Sequence, residues 1–135
     1  MSQNVLPQIH ELLASKGYAV TETGPGALQI QDTDSGLSIV AVLEGEIVFF
    51  SMVCASVLGA ALTPSVLHKM LDANNGISTS HFQLFAHGDS TTISLNNFCK
   101  LQEMGPDDED DILSCISFLL ADVLHARDLL ASDLA

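Results

Sequence analysis

The most constraining feature of the sequence is residues 47–54, a run that is apolar on both of its alternating faces. It contains Ile, Val, Phe, Phe, Ser, Met, Val and Cys in that order, and residues 37–43 are nearly as apolar. An antiparallel strand with one wet face alternates apolar and polar side chains, so these strands need cover on both faces. Helices on both sides would supply that cover, and so would a second subunit or a bound chain on one face.

Hydrophobic periodicity and turn residues predict three helices and several antiparallel strands. The helices are predicted at residues 4–16 with Asn4 as the cap, at 63–75 from Thr63-Pro64, and from Ile112 to about Leu130. Short extended segments at 18–23 and 27–32 precede stronger strands at 37–43, 47–55, 81–87 and 91–101. The predicted order is α-β-β-β-α-β-β-α, an α+β fold whose helices pack on an antiparallel sheet. Residues 1–135 are predicted to form a single domain.

The charge balance limits the classes of partner. Seventeen acidic residues face four basic ones, for a formal net charge of −13. Nucleic acids are bound through clusters of lysine and arginine, and anionic membranes attract the same residues, so neither is expected as a partner. A protein partner with a neutral or basic surface is expected instead.

Cysteine content and hydropathy indicate a cytoplasmic protein. Cys54, Cys99 and Cys115 are odd in number, far apart and set in apolar stretches, as buried free thiols are. The most apolar run, residues 47–62, is interrupted by two serines and a glycine, so no membrane-spanning helix is expected. The N-terminus has no basic segment followed by an apolar one, so no secretion signal is expected.

Motifs that carry chemistry are missing from the sequence, and we expect no enzyme, no cofactor and no metal site. The five histidines form no helical pair and none lies at metal-ligand spacing from a cysteine. His81 and His87 share a face of one predicted strand but stand roughly 20 Å apart along it. The acidic run 107–111 lacks the glycine and glutamate of a calcium loop and is typical of a helix N-terminus. A site assembled from His81, His87 and carboxylates is the alternative that would make this an enzyme.

The element order, the length, the low isoelectric point and the amphipathic last helix resemble the class I type III secretion chaperones. They also resemble the wider chaperone-like superfamily that includes YbjN-type and DUF2170-type proteins. The resemblance implies a homodimer in which the middle helix and neighbouring strands meet, with apolar patches that hold an extended segment of a client protein. It places Phe49, Val66 and Met70 as interface candidates. Burial in the core of the single chain is the other interpretation of each.

Two functional hypotheses follow from these features and the resemblance. The first is a non-catalytic, dimeric, chaperone-like protein that holds an extended polypeptide client. The second is a free-standing regulatory or stress-related binding protein of the same fold that serves no secretion client.

Overall fold

The computed structural model describes residues 5–134. This part of the chain contains three α-helices and six β-strands: α1 Val5–Ser15, β1 Ala19–Gly24, β2 Ala27–Gln31, β3 Ser38–Glu44, β4 Ile47–Leu58, α2 Pro64–Leu71, β5 His81–His87, β6 Ser90–Lys100 and α3 Pro106–Leu134. The strands form one antiparallel sheet in the order β1-β2-β3-β4-β6-β5. A short 3₁₀ helix, Gly59–Ala61, follows β4. The predicted α+β class, with three helices and an antiparallel sheet, is confirmed.

The structure differs from the predicted order by one strand. Four strands precede α2, because both short extended segments, 18–23 and 27–32, pair as β1 and β2. Two-residue turns with glycine at positive φ, such as Gly26 at +73° and Gly45 at +62°, connect successive strands and set their register. The predicted Asn4 cap lies outside the described residues.

The last helix begins six residues earlier than Ile112, so the acidic run forms its first turns. Pro106 occupies the first helical position, where its fixed φ suits a helix and no N–H is needed. The buried Asp108 carboxylate accepts hydrogen bonds from the backbone N–H groups of Gln102 at 2.6 Å and Gly105 at 3.2 Å. These two bonds hold the loop that leads into the helix.

The described chain divides into two compact units. The first comprises residues 5–51 and 97–117, and the second comprises residues 52–96 and 118–134. In the first unit α1 contacts β1 and β2 and buries Leu6, Ile9 and Leu13. The backbone N–H of Leu101, just after β6, donates to the carbonyl of Glu46, just before β4. The prediction of a single domain stays a prediction.

In the second unit α2 is held by its two ends. The Thr63 hydroxyl accepts a hydrogen bond from the Val66 N–H, which confirms the predicted helix start. The helix ends at Leu71 with Asp72 as its C-cap, four residues before the predicted end at 75. The Asn75 side chain still reaches back and donates to the carbonyls of Lys69 and Met70 in the last turn. Lys69 also pairs with Asp133 of α3 at 2.6 Å. Gly76 passes so close to His125 that an added Cβ would lie 2.5 Å from its Nε2 atom.

Candidate protein-binding surface

Strand β4, whose sequence is apolar on both faces, has one covered and one exposed face in the first unit. Val48 and Phe50 are fully buried there, whereas Phe49 between them is 38% exposed. On the neighbouring β3, Ile39 and Ala41 are buried, and the alternating Val40 and Val42 are exposed. Helices therefore do not cover both faces of this part of the sheet, and the exposed face keeps its apolar side chains.

These exposed side chains form one patch. Val42 pairs directly with Phe49 across β3 and β4, and the Phe49 ring meets the Phe98 ring of β6 with centroids 5.8 Å apart and planes tilted by 49°. Val40 lies two residues from Val42 on the same face, where β-strand alternation places it. We call Val40, Val42, Phe49 and Phe98 the outer patch. Their exposed fractions are 43%, 36%, 38% and 59%, so more than a third of each residue is left uncovered by the chain itself.

The position of Asn97, the residue before Phe98, explains why the Phe98 ring lies on the exposed face. Asn97 faces the helix side of β6, where its Nδ2 donates to the carbonyl of Cys115 on α3 at 3.0 Å. Because successive residues of a strand face opposite sides, Phe98 must then lie on the exposed face. A buried asparagine beside an exposed phenylalanine is the reverse of ordinary burial preferences. Helix α3 thus fixes the strand orientation that leaves an aromatic ring in solvent.

Other large apolar side chains of the described residues are also exposed, including Leu71 on α2 and Leu124 on α3. Single exposed apolar residues are normal on protein surfaces and need no function. The outer patch differs because its members are neighbours on three adjacent strands. A contiguous apolar group of this kind is typical of a binding surface.

The rim of the outer patch carries charges of both signs. Glu44 follows Val42 by two residues and Lys100 follows Phe98 by two, so each continues the exposed face at a strand end. Both are exposed. The field around the patch is set mainly by the whole chain, whose formal net charge of −13 attracts basic partners.

The three interface candidates from the sequence have different positions. Phe49 lies in the outer patch. Val66 and Met70 lie on the buried face of α2 in the second unit, with exposed fractions of 2% and 6%. Burial in the core, the alternative that the sequence left open for them, is therefore what the structure shows for these two. An interface role for Phe49 stays a prediction.

Val40, Val42 and Phe98 were not among the predicted interface residues. For β3 the signal was present, because residues 37–43 are nearly apolar on both alternations. For β6 the signal was the Asn97-Phe98 pair, in which the polar residue takes the inward position. The pair can be interpreted only when it is known which alternate residues of β6 face the helices. The buried Ile93 and Leu95 show that these are the odd-numbered residues.

The two histidines of the alternative catalytic site, His81 and His87, are not brought together. His81 and His87 stand at opposite ends of β5, paired with Asn96 and Ser90 of β6. No group of three or more histidine, cysteine, aspartate or glutamate side chains in residues 5–134 is placed to hold a metal ion. Within the same range, no helix is long and apolar enough to cross a membrane.

The cysteines are free thiols in two settings. Burial raises the pKa of Cys54 to about 11, and the nearby Arg127 only partly offsets this effect. Arg127 also donates to the Cys54 carbonyl at 3.3 Å. Cys99 and Cys115 interact with each other through their side chains: the hydrogen bond between them raises the pKa of Cys99, as burial also does, and lowers the pKa of Cys115.

The fold belongs to a known class. The architecture of three helices and a six-stranded antiparallel sheet is that of YbjN-type proteins. The crystal structure of YbjN from E. coli, described as a proposed transcription regulator, matches with a TM-score of 0.69. The match covers 96% of this chain and 93% of YbjN at 15% sequence identity, and a likeness at that identity establishes the fold alone. No protein-family model matches the sequence, and no curated protein matches it. The resemblance to secretion chaperones stays a prediction.

Proposed function

We propose that this protein is a non-catalytic binding protein whose outer patch holds an extended segment of another polypeptide. The observation that carries the proposal is the contiguous exposure of Val42, Phe49 and Phe98 on adjacent strands. Aromatic residues are enriched at protein interfaces, and a few central, well-packed side chains carry most of the binding energy there. The described residues provide no competing catalytic arrangement on this face.

The expected partner segment is apolar and basic. Its apolar side chains would cover the two rings and the valines, and its lysines or arginines would be drawn by the net charge of −13. A second copy of this chain would bring the same negative charge to the interface and be repelled. We therefore commit to a different polypeptide as the occupant of the outer patch. The homodimer implied by the secretion-chaperone resemblance would need another surface.

Two physiological roles use the same surface. A chaperone-like role would protect an extended client, and a regulatory role would hold a segment of a signalling or transcription protein. The description of YbjN as a proposed transcription regulator favours the second. Four basic residues in the whole chain do not form a phosphate-binding patch, so a regulatory role would operate through protein contacts.

The proposal is tested with defined peptides and the purified protein. One peptide alternates leucine and lysine, and its control alternates leucine and glutamate, so the two differ only in charge. We expect the basic peptide to bind and the acidic one not to bind, by fluorescence anisotropy at low salt. The double variant Phe49→Ser/Phe98→Ser should weaken binding about 30-fold, which corresponds to roughly 2 kcal/mol for a pair of central aromatic residues.

The matched control is Leu71→Ser/Leu124→Ser, which removes two exposed leucines outside the outer patch. It should bind the basic peptide as the native protein does. Circular dichroism of both double variants checks that each is folded. Equal binding by the native protein and the Phe49→Ser/Phe98→Ser variant would exclude the outer patch as the site, and equal binding of both peptides would exclude the charge preference.

A further inference from the structure

Two cysteines of the first unit lie opposite each other on the helix side of the sheet. Cys99 is on β6, two residues after Asn97, so both side chains point towards α3. The Asn97 side chain donates to the backbone carbonyl of Cys115 at 3.0 Å, which holds that turn of α3 against this part of β6. The strand and the helix therefore present Cys99 and Cys115 to each other from fixed backbone positions.

The surroundings of the two thiols make them different from an ordinary buried cysteine. The hydrogen-bonding interaction between their thiols raises the pKa of Cys99 and lowers that of Cys115, and burial raises the pKa of both. Cys115 is buried, whereas Cys99 is partly exposed and gives a route from solvent. The Oδ1 atom of Asn97 is buried beside them and has no hydrogen-bond partner among the described residues.

Cys54 provides an internal comparison. It is buried in the second unit beside Arg127, and burial raises its pKa to about 11, which suppresses the reactive thiolate form. Its surroundings in that unit include the apolar residues Ala126 and Leu130. A reagent that selects cysteines by their surroundings should therefore distinguish Cys54 from the other two.

We propose that Cys99 and Cys115 are a redox modification site that forms a reversible intramolecular disulfide with hydroperoxides. The Cys115 thiolate attacks one peroxide oxygen, the O–O bond breaks, and the released hydroxide takes a proton to become water. Cys99 then attacks the sulfur of the resulting sulfenic acid, an S–S bond forms, the S–O bond breaks, and the oxygen leaves as water with the Cys99 proton. The two thiols lose two electrons in total, and one hydrogen peroxide is reduced to two waters.

Nearby carboxylates disfavour the thiolate forms of the pair. Asp111 raises the pKa of both thiols, and Asp108 adds to the effect on Cys99. Replacing Asp111 by asparagine should therefore increase the thiolate fraction and accelerate disulfide formation. Glu109→Gln removes the same charge from an exposed neighbouring position and should leave the rate nearly unchanged.

The test uses the folded, fully reduced protein treated with hydrogen peroxide at neutral pH. We expect the intact mass to fall by two hydrogen atoms, a digest to link the peptides that contain Cys99 and Cys115, and dithiothreitol to reverse both changes. Cys54→Ser should form the bond as the native protein does, and Cys99→Ser or Cys115→Ser should not. The oxidised protein should also melt at a higher temperature than the reduced one, because the bond constrains the unfolded chain.

Three results would overturn the proposal. They are a bond that includes Cys54, a bond that forms only after the protein is unfolded in urea, and oxidation that adds oxygen to single cysteines without linking them. If peroxide produces no change, the dithiol oxidant diamide is applied to the folded protein. Failure of that reagent too would show that the thiols cannot reach bonding distance. None of these results depends on whether the outer patch binds a peptide.

Discussion

Phe49 and Phe50 are neighbours on one strand, yet they belong to opposite faces of the sheet with opposite surroundings. Phe50 is fully buried with Val48 and Ala41, while Phe49 contacts Phe98 and remains partly in solvent. The inner face needs no partner because the protein itself fills it. The outer face has comparable apolar residues, but the chain does not cover them to the same extent. The stability of the single chain therefore does not account for these residues, whereas binding of a partner does.

The largest effect that separates the two faces is on stability. Phe50→Ala should lower the free energy of unfolding by about 3–5 kcal/mol, because it removes buried surface and leaves a cavity. Phe49→Ala should lower it by less than about 1.5 kcal/mol, mainly through loss of the contact with Phe98. Urea unfolding followed by circular dichroism measures both. Equal losses would mean that the outer face is packed as tightly as the inner face.

A smaller effect is expected from enlarging a side chain on β3. Ala41 is fully buried, so Ala41→Leu should overpack the inner face and lower the free energy of unfolding by about 1–3 kcal/mol. The adjacent Val42 is exposed, and Val42→Leu should change that free energy by no more than about 0.5 kcal/mol. The same unfolding measurement applies. A large loss for Val42→Leu would indicate that something in the folded chain already covers the outer patch.

The smallest effect concerns charge at the rim. Glu44 ends β3 on the outer face, whereas Glu22 pairs with the buried Leu28 and so belongs to the other face. Glu44→Lys should weaken binding of the leucine–lysine peptide about two- to fivefold, since a rim charge contributes up to roughly 1 kcal/mol. Glu22→Lys changes the net charge equally and should have less effect. Both affinities are measured by fluorescence anisotropy. A larger loss of binding for Glu22→Lys than for Glu44→Lys would indicate that the peptide binds the other face of the sheet.

The comparison of the two faces also shows what the sequence could predict. The strands 37–43, 47–55, 81–87 and 91–101 agree closely with β3 to β6, because turn residues and β-branched runs are local signals. The predicted start of α3 at Ile112 was too late, because the prediction followed the apolar residues and the acidic run before them has none. The helix begins at Pro106. Thr63 capped its helix as predicted.

The orientation of the apolar strands could not be predicted in the same way. Residues 47–54 are apolar on both alternations, so periodicity gives no indication of which set faces the helices. Only packing against neighbouring elements assigns Phe50 to the core and Phe49 to the surface. For the same reason the stripe of α2 identified Val66 and Met70 as apolar but could not distinguish a core face from an interface.

The most direct test of the central claim is a methyl NMR titration of the protein with the leucine–lysine peptide. The methyl signals of Val40 and Val42 should shift in proportion to peptide bound. Those of the buried Ile39, on the same strand, and Val48, on the neighbouring strand, should shift much less. Leu71, exposed on α2, serves as the reference outside the patch. Shifts confined to Val40 and Val42 would confirm the outer patch as the binding surface. Shifts centred on Leu71, or binding with no change at either valine, would contradict it.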